Sequence, residues 1–422
     1  MKKTITRNIM WKLFKIQWFL AIYLLVIPAC SGTSEIEITP NQFKGNDTER
    51  IQAAVNRAAA TTGRIVISHN SSNNSNRWML DSAITLPSNI TVLLENCVIQ
   101  LSDSCRDNMF RSKNVGVGIT DPERISNIKI IGIGDVLLKG ADNPRATGDG
   151  NRTLVLENQP GRVSYGSDAE KEGVKQKGDW RNIMILMAYV DGFEMKNVNI
   201  QNAHAWAVSF ERTLNAQISD ITFNCPSSQV VNGKEVFIRN RDGINLRHGC
   251  KNFRINNISG ITEDDFIALS ILGLDSENPE GGTLNSTMVT SRKWEGTEDD
   301  TENIYITNIV CKSLTRAVAI RANDIASINH VYIDGIMFEG GMNAILVGGK
   351  GYGKDSQQGK INNIHALNIV GDGRSLIQVE EAISDCSFLN CLYRGSGDQI
   401  IQYMIEENQT DNIITGNLMR LK

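Results

Sequence analysis

The sequence has no pair of cysteines at CxxC spacing, no surplus of basic residues and no apolar run long enough to span a membrane. Each absence removes a class of protein. Beyond the leader the cysteines are Cys97, Cys105, Cys225, Cys250, Cys311, Cys386 and Cys391. Their scatter excludes a disulfide framework or a cysteine zinc site, and buried free thiols are expected, with one or two bridges as the alternative. No metal or other cofactor is expected. Setting aside the five lysines and arginines of the first 29 residues leaves 38 basic against 47 acidic residues, a net charge of about −9. A nucleic-acid partner is therefore not expected. The strongest apolar run, "WFLAIYLLVI" (Trp18 to Ile27), is half the length of about 20 residues that a membrane helix needs.

That run has a different use. Lys2, Lys3, Arg7, Lys12 and Lys15 precede it, and "IPAC" closes it at Cys30. Residues 1–29 thus read as a signal peptide of the bacterial lipoprotein type, with Cys30 the lipidated residue. An ordinary cleaved signal with an incidental cysteine is the alternative. Residues 30–45 are expected to form a polar tether and residues 46–422 one catalytic domain. The chain is expected at the cell envelope (outer membrane or periplasm) or secreted, as a monomer that touches the membrane only through its lipid anchor.

"NDTERIQAAVNRAAATTG" predicts a helix, with Asp47 or Thr48 as its N-cap, Glu49 in the first turn and Gly63 past its end. Ile51, Ala54, Val55, Ala58 and Ala59 fall on one face. After it, short Ile/Val-rich strands recur, many opening at an asparagine: Asn89, Asn127, Asn182, Asn197, Asn199, Asn257, Asn303, Asn308, Asn363, Asn368 and Asn412. A fixed offset of 13 residues joins paired strands, from Phe193 to Trp206, Phe253 to Phe266, Ile304 to Ala317 and Val331 to Ala344. The distance between pairs varies. No helical pattern intervenes, so βαβ units are not expected. Repeating strand pairs with irregular loops predict an all-β solenoid, a parallel β-helix whose open end is capped by the N-terminal helix. Asparagine suits its turns because its side chain satisfies turn backbone groups. The long insertion from Gly273 to Glu302, which carries Trp294, is expected to wall one end of a cleft and favour chain ends.

Counted from the second strand of each unit, Asp242 and Asp264 lie 22 residues apart, one coil, with His204 equivalent on the preceding coil and Arg316 equivalent to Asp265 on the following one. These residues are expected to line one edge of the solenoid. Glycosidic cleavage needs an acid for the leaving oxygen and a carboxylate to activate water or attack. Clustered carboxyls raise one another's affinity for protons, and a nearby arginine can hold an acidic sugar. Asp242, Asp264 and Asp265 are the expected catalytic residues. His204, Asn240, Glu263, Arg316, Arg321 and Trp294 are the expected substrate-binding ones. Trp206 is read as partly core, with a sugar platform as the alternative. His248 is read as a surface turn residue, and Arg241, Arg247 and Arg321 as solvated or bridging. "TEDD" occurs again at Thr297 to Asp300, where no carboxylate motif lies one coil before it, and reads as a solvated loop.

At these residues the sequence resembles the polygalacturonases, glycoside hydrolase family 28, whose motifs are N-T-D-G, G-D-D, G-H-G and R-I-K. Asn240-Arg241-Asp242-Gly243 matches the first with one change, and Glu263-Asp264-Asp265 the second with Glu for Gly. The resemblance spreads over roughly residues 40 to 400, including the opening helix and "LPSNITVLLENCVIQL". It implies a right-handed single-stranded parallel β-helix of the pectin-lyase type and an inverting hydrolysis. In that reaction Asp264 is the general acid, and Asp242 and Asp265 position and activate water. The chain departs from the family in two places. No G-H-G is present, and Ala319-Ile320-Arg321 stands for R-I-K. His204, from the neighbouring coil, is expected to replace the missing histidine. The expected function is therefore hydrolysis of a polysaccharide or oligosaccharide. A polysaccharide lyase on the same scaffold and a non-catalytic glycan-binding surface protein are the alternatives.

Overall fold

The computed structural model describes residues 37–421 except 106, 117, 120, 144–161, 164–179, 272–287, 291–295, 324 and 350–358. Cys30 and Trp294 lie outside the described residues. The packed unit begins at Ile38, which bridges in parallel to Ile65. Asn41 donates through Nδ2 to the carbonyl of His69 (2.8 Å). Packing thus reaches into the stretch expected as a tether.

Helix α1 spans Asp47–Ala59. Its N-cap is Asn46, one residue before those expected: Asn46 Oδ1 accepts the Glu49 N–H, and Glu49 Oε2 accepts the Asn46 N–H, both at 2.9 Å. Asp47 is occupied elsewhere. Its carboxylate accepts from Asn70 Nδ2 (2.9 Å) and the Met79 N–H (2.9 Å), which ties the helix to the first coil. Ile51, Ala54, Val55 and Ala58 are buried against the core. Ala59, expected on the same face, lies one step past it and is exposed.

The solenoid is a right-handed parallel β-helix. Among the described residues, ten short strands form the sheet that carries the site: β1 (Ile84–Leu86), β2 (Phe110–Ser112), β3 (Ile185–Ala188), β4 (Val208–Glu211), β5 (Ile244–Leu246), β6 (Ile267–Ser270), β7 (Arg316–Arg321), β8 (Asn343–Val347), β9 (Ile377–Val379) and β10 (Ile401–Tyr403). Each pairs in parallel with its neighbours in sequence order. The other walls are long strands such as Leu214–Cys225, Lys251–Thr262 and Thr301–Ser313, also parallel and in register.

Those long strands bend at asparagines. Of the asparagines picked out from the sequence, all but Asn182 and Asn199 have positive φ, the left-handed region that asparagine tolerates best after glycine. Their side chains bond from coil to coil, as in Asn252 Nδ2 to Asn215 Oδ1 (3.0 Å), then Asn303 Nδ2 to Asn252 Oδ1 (3.1 Å). Asp220 (φ +57°) and Gly335 (φ +81°) hold the bend position in coils that lack asparagine there. Inside, Phe193, Phe210 and Phe253 stack edge to face at 5.3 and 5.1 Å, and Phe223 meets Phe266 at 5.5 Å. Each such burial stabilises by roughly 1.5–3 kcal/mol. All seven described cysteines are free and buried.

Candidate active site

Strand pairing fixes the register of the site: Val208 pairs with Ile244, Ile244 with Ile267 and Ile267 with Val318. Two residues before these positions stand Trp206, Asp242, Asp265 and Arg316, one per coil. Three before stand Ala205, Arg241, Asp264 and Thr315, and four before stand His204, Asn240 and Glu263. The equivalence of Asp265 with Arg316 agrees with expectation. The equivalence of His204, Asp242 and Asp264 does not. Asp242 stands over Asp265, while His204 shares its position with Glu263. The unit of Phe193 holds 14 residues to the equivalent strand position at Ala207, not 13, and Ile244 matches Ile267 rather than Phe266. A slip of one residue turns a side chain to another face.

The coils meet closely at this edge. The Gly243 N–H donates to the Asp265 carbonyl (3.0 Å), and a Cβ on Gly243 would stand 2.4 Å from the Phe266 carbonyl oxygen. The glycine after Asp242 is therefore a packing requirement that sets how near the two aspartates come. Between Thr262 and β6 the chain turns, so that both Asp264 and Asp265 act on Asp242. Thr262 Oγ1 (2.7 Å) and Ser313 Oγ (2.8 Å) donate to the Asp264 carbonyl, and the Asp265 N–H donates to Asp264 Oδ1 (3.0 Å).

The three carboxyls have different surroundings. Asp265 is buried and accepts from Thr315 Oγ1 (3.0 Å), Arg316 Nη1 (3.1 Å) and Arg321 Nη2 (2.5 Å). The two arginines expected to hold an acidic sugar are thus engaged by this carboxylate. Arg316 Nε has no partner among the described residues. Asp242, 6% exposed, is pushed well above the usual carboxylate range by burial, then by the charges of Asp264 and Asp265, with Arg321 and Asn245 opposing. Its Oδ1 has no hydrogen-bond partner among the described residues. Asp264, the most exposed of the three, is raised by burial and then by Asp265, with Arg321 and Thr315 opposing. Glu263 accepts the Arg241 N–H (3.4 Å) and is raised to about 7, by burial first and the Asp264 charge second.

Other expected residues have structural work instead. His204 is buried, and its Nε2 accepts the Ala141 N–H (2.9 Å). Burial, then Arg241, lowers it to about 4, with Asp103 opposing. Asn240 holds a left-handed turn (φ +58°). Arg241, read as solvated or bridging, is fully buried and donates to the carbonyls of Ala203 and Pro226, both at 2.8 Å, and to Gln229 Oε1. Arg247 is buried over the half-buried ring of Trp206, 4.9 Å from its centroid. His248, read as a surface turn residue, is buried beside Thr290 Oγ1 (3.4 Å) and held well below its usual range by burial and then Arg212.

The second "TEDD" is no solvated loop. Gly296–Asp299 is a 3₁₀ turn, and Asp299 is buried in an ion pair with Arg212 (Nε to Oδ1 2.6 Å). Residues the sequence did not single out complete the picture. Thr315 and Ser313 orient Asp265 and the Asp264 turn, a role their place just before β7 could have suggested. Buried Glu211 accepts the Val289 N–H (3.0 and 3.2 Å), the Thr290 N–H (3.0 Å) and Thr290 Oγ1 (2.8 Å), which pins 288–290 over the sheet. No sequence spacing joins Glu211 to residues so distant.

Residues 149–274 match the family model described as glycosyl hydrolases family 28. That segment contains Asp242, Asp264 and Asp265, so the match covers the coils that carry the two motifs. No curated protein matches the sequence. The fold is similar to that of an exopolygalacturonase from Thermotoga maritima (12% identity, TM-score 0.55, covering 90% of this chain and 92% of that one). It is also similar to an endo-xylogalacturonan hydrolase from Aspergillus tubingensis (10%, 0.52, 89% and 89%). A tailspike protein of E. coli bacteriophage HK620 is similar at 12% and 0.55, over 90% of this chain and 67% of that one.

Proposed function

We propose that this family 28-type glycosidase hydrolyses a glycan with inversion, Asp264 serving as acid and Asp242 as base. The observation that carries the reading is the division of labour among the three carboxyls. Asp265, held by two arginines and Thr315, supplies a fixed negative charge that raises its neighbours. Asp242 and Asp264 are both raised by it, and their titration belongs to the pair. In the productive form the proton is on Asp264, the carboxyl most open to a glycosidic oxygen. Asp264 gives it to that oxygen as the C–O bond breaks. Water attacks the anomeric carbon from the other side and loses its proton to Asp242.

A pectic substrate is the first choice, because the structural neighbours named above include enzymes whose names specify galacturonan-type polymers. Attachment to the cell envelope through a lipidated Cys30, and action as a monomer, complete the proposal. The test is a screen against pectic, algal and host glycans with product mass and anomeric proton NMR. Wild type should give a saturated product of inverted configuration. Asp264→Asn should lose roughly 10²–10⁴-fold in kcat with its fold intact. A product absorbing in the ultraviolet would instead identify a lyase. Glycan binding without turnover, persisting in Asp264→Asn, would identify a non-catalytic binder.

A further inference from the structure

We infer that the cleft is closed one coil away from the catalytic carboxyls, so that the enzyme cleaves at chain ends and releases one or two sugar residues at a time. The inference rests on the hydrolase reading above. The carboxyls occupy equivalent edges of successive coils, so a glycan crossing the site toward the first coils must pass Trp206. That residue stands at the register of Asp242, one strand spacing of about 4.8 Å away. Its ring is half-buried, with the Arg247 guanidinium on one face.

Past Trp206 the outer surface of the sheet is no groove. Leu186 and Ala188, the outward residues of β3, would floor one. Both are fully buried beneath Val115, Trp180, Ile183 and Val289, an apolar cluster separate from the core of the solenoid and packed against Trp206. This cover is tied down. The Glu211 carboxylate takes two backbone N–H groups and a hydroxyl from Val289 and Thr290, and the Arg212–Asp299 ion pair holds the chain again a few residues on. A buried carboxylate with three donors is a costly contact to open. Cleavage inside a chain requires glycan on both sides of the bond. Here one side has room for about one coil's rise of sugar before the wall. The fold does not decide the matter, since an exo-acting and an endo-acting protein are similar to this chain to nearly the same degree, at TM-scores of 0.55 and 0.52.

The test uses the full-length enzyme and the polymer that the screen finds cleaved, first polygalacturonic acid, with a reducing-end-labelled hexasaccharide of the same glycan. From the earliest time points the hexasaccharide should yield only mono- or disaccharide and its shortened remainder. The polymer's viscosity should fall late relative to reducing ends released. Trp206→Ala should widen the product range toward internal fragments. Val289→Asp, which unseats the cover, is the second variant should the first fold poorly. Mid-length fragments from wild type at the outset overturn the inference and leave the hydrolase reading standing. Product sizes unchanged in both folded variants overturn the assignment of the wall. Absence of turnover on every glycan overturns the hydrolase reading and this inference with it.

Discussion

Replacing Asp299 by alanine separates a buried ion pair from a solvated acidic loop. In the structure Arg212 Nε and Nη2 reach the two Asp299 oxygens at 2.6 and 3.2 Å, with side chains 4% and 0% exposed. Removing the carboxylate takes the ion-pair partner from a buried guanidinium. Breaking one side of a buried pair costs about 3–5 kcal/mol, whereas an exposed pair contributes about 0–1 kcal/mol. The bond from Arg212 to Thr290 Oγ1 (3.2 Å) persists and places the expected loss at the lower end, about 3 kcal/mol. Denaturant unfolding of wild type, Asp299→Ala and the control Glu298→Ala, which alters an exposed neighbour, measures it. The control should stay within about 0.5 kcal/mol of wild type. The double variant Arg212→Met/Asp299→Leu should recover much of the loss, because two apolar groups leave no charge stranded. An Asp299→Ala protein within about 1 kcal/mol of wild type would refute the reasoning.

Two further outcomes follow from buried titratable groups. Folding raises the Glu263 carboxyl to about 7, so the stability it contributes is complete below the ordinary glutamate range and is lost as pH rises through about 7. Glu263→Gln should therefore gain stability over wild type as the pH climbs toward 7, in a pH series of unfolding midpoints, and a constant difference across the series would overturn the assignment. His204→Ala should cost about 1–3 kcal/mol by leaving the Ala141 N–H unmet. Its kcat on a proven substrate should hold within about two-fold, so a loss on the scale of a missing proton donor, about 10²-fold or more, would return the residue to the chemistry.

Repetition made the fold legible. Asparagine at the turns, short Ile/Val-rich strands and a near-constant offset between paired strands all pointed to stacked coils, and each is a local property of the chain. The site was legible through two motifs and the proximity of their coils. What escaped was register to a single residue. Counting offsets put Asp242 opposite Asp264, whereas the ladder puts it opposite Asp265. The settings of Arg241, Arg247, His204 and His248 were also hidden, for the two arginines and His248 because a polar residue in a loop reads as solvated. Their burial depends on partners brought from far along the chain: Ala141 for His204, Ala203 and Pro226 for Arg241, Thr290 for His248.

The ladder that fixes the register also frees the loops. From Ile244 to Ile267 a coil takes 23 residues, and from Ile267 to Val318 it takes 51. Closing the longer excursion costs only about 0.7 kcal/mol more, since the entropic term grows with the logarithm of length. Asp265 and Arg316 are spaced by hydrogen bonds between strands and do not register the extra chain between them. The reacting groups and the walls around them can therefore be exchanged separately. Descendants of one such gene can acquire new clientele by lengthening or trimming a single coil, with the chemistry carried over intact.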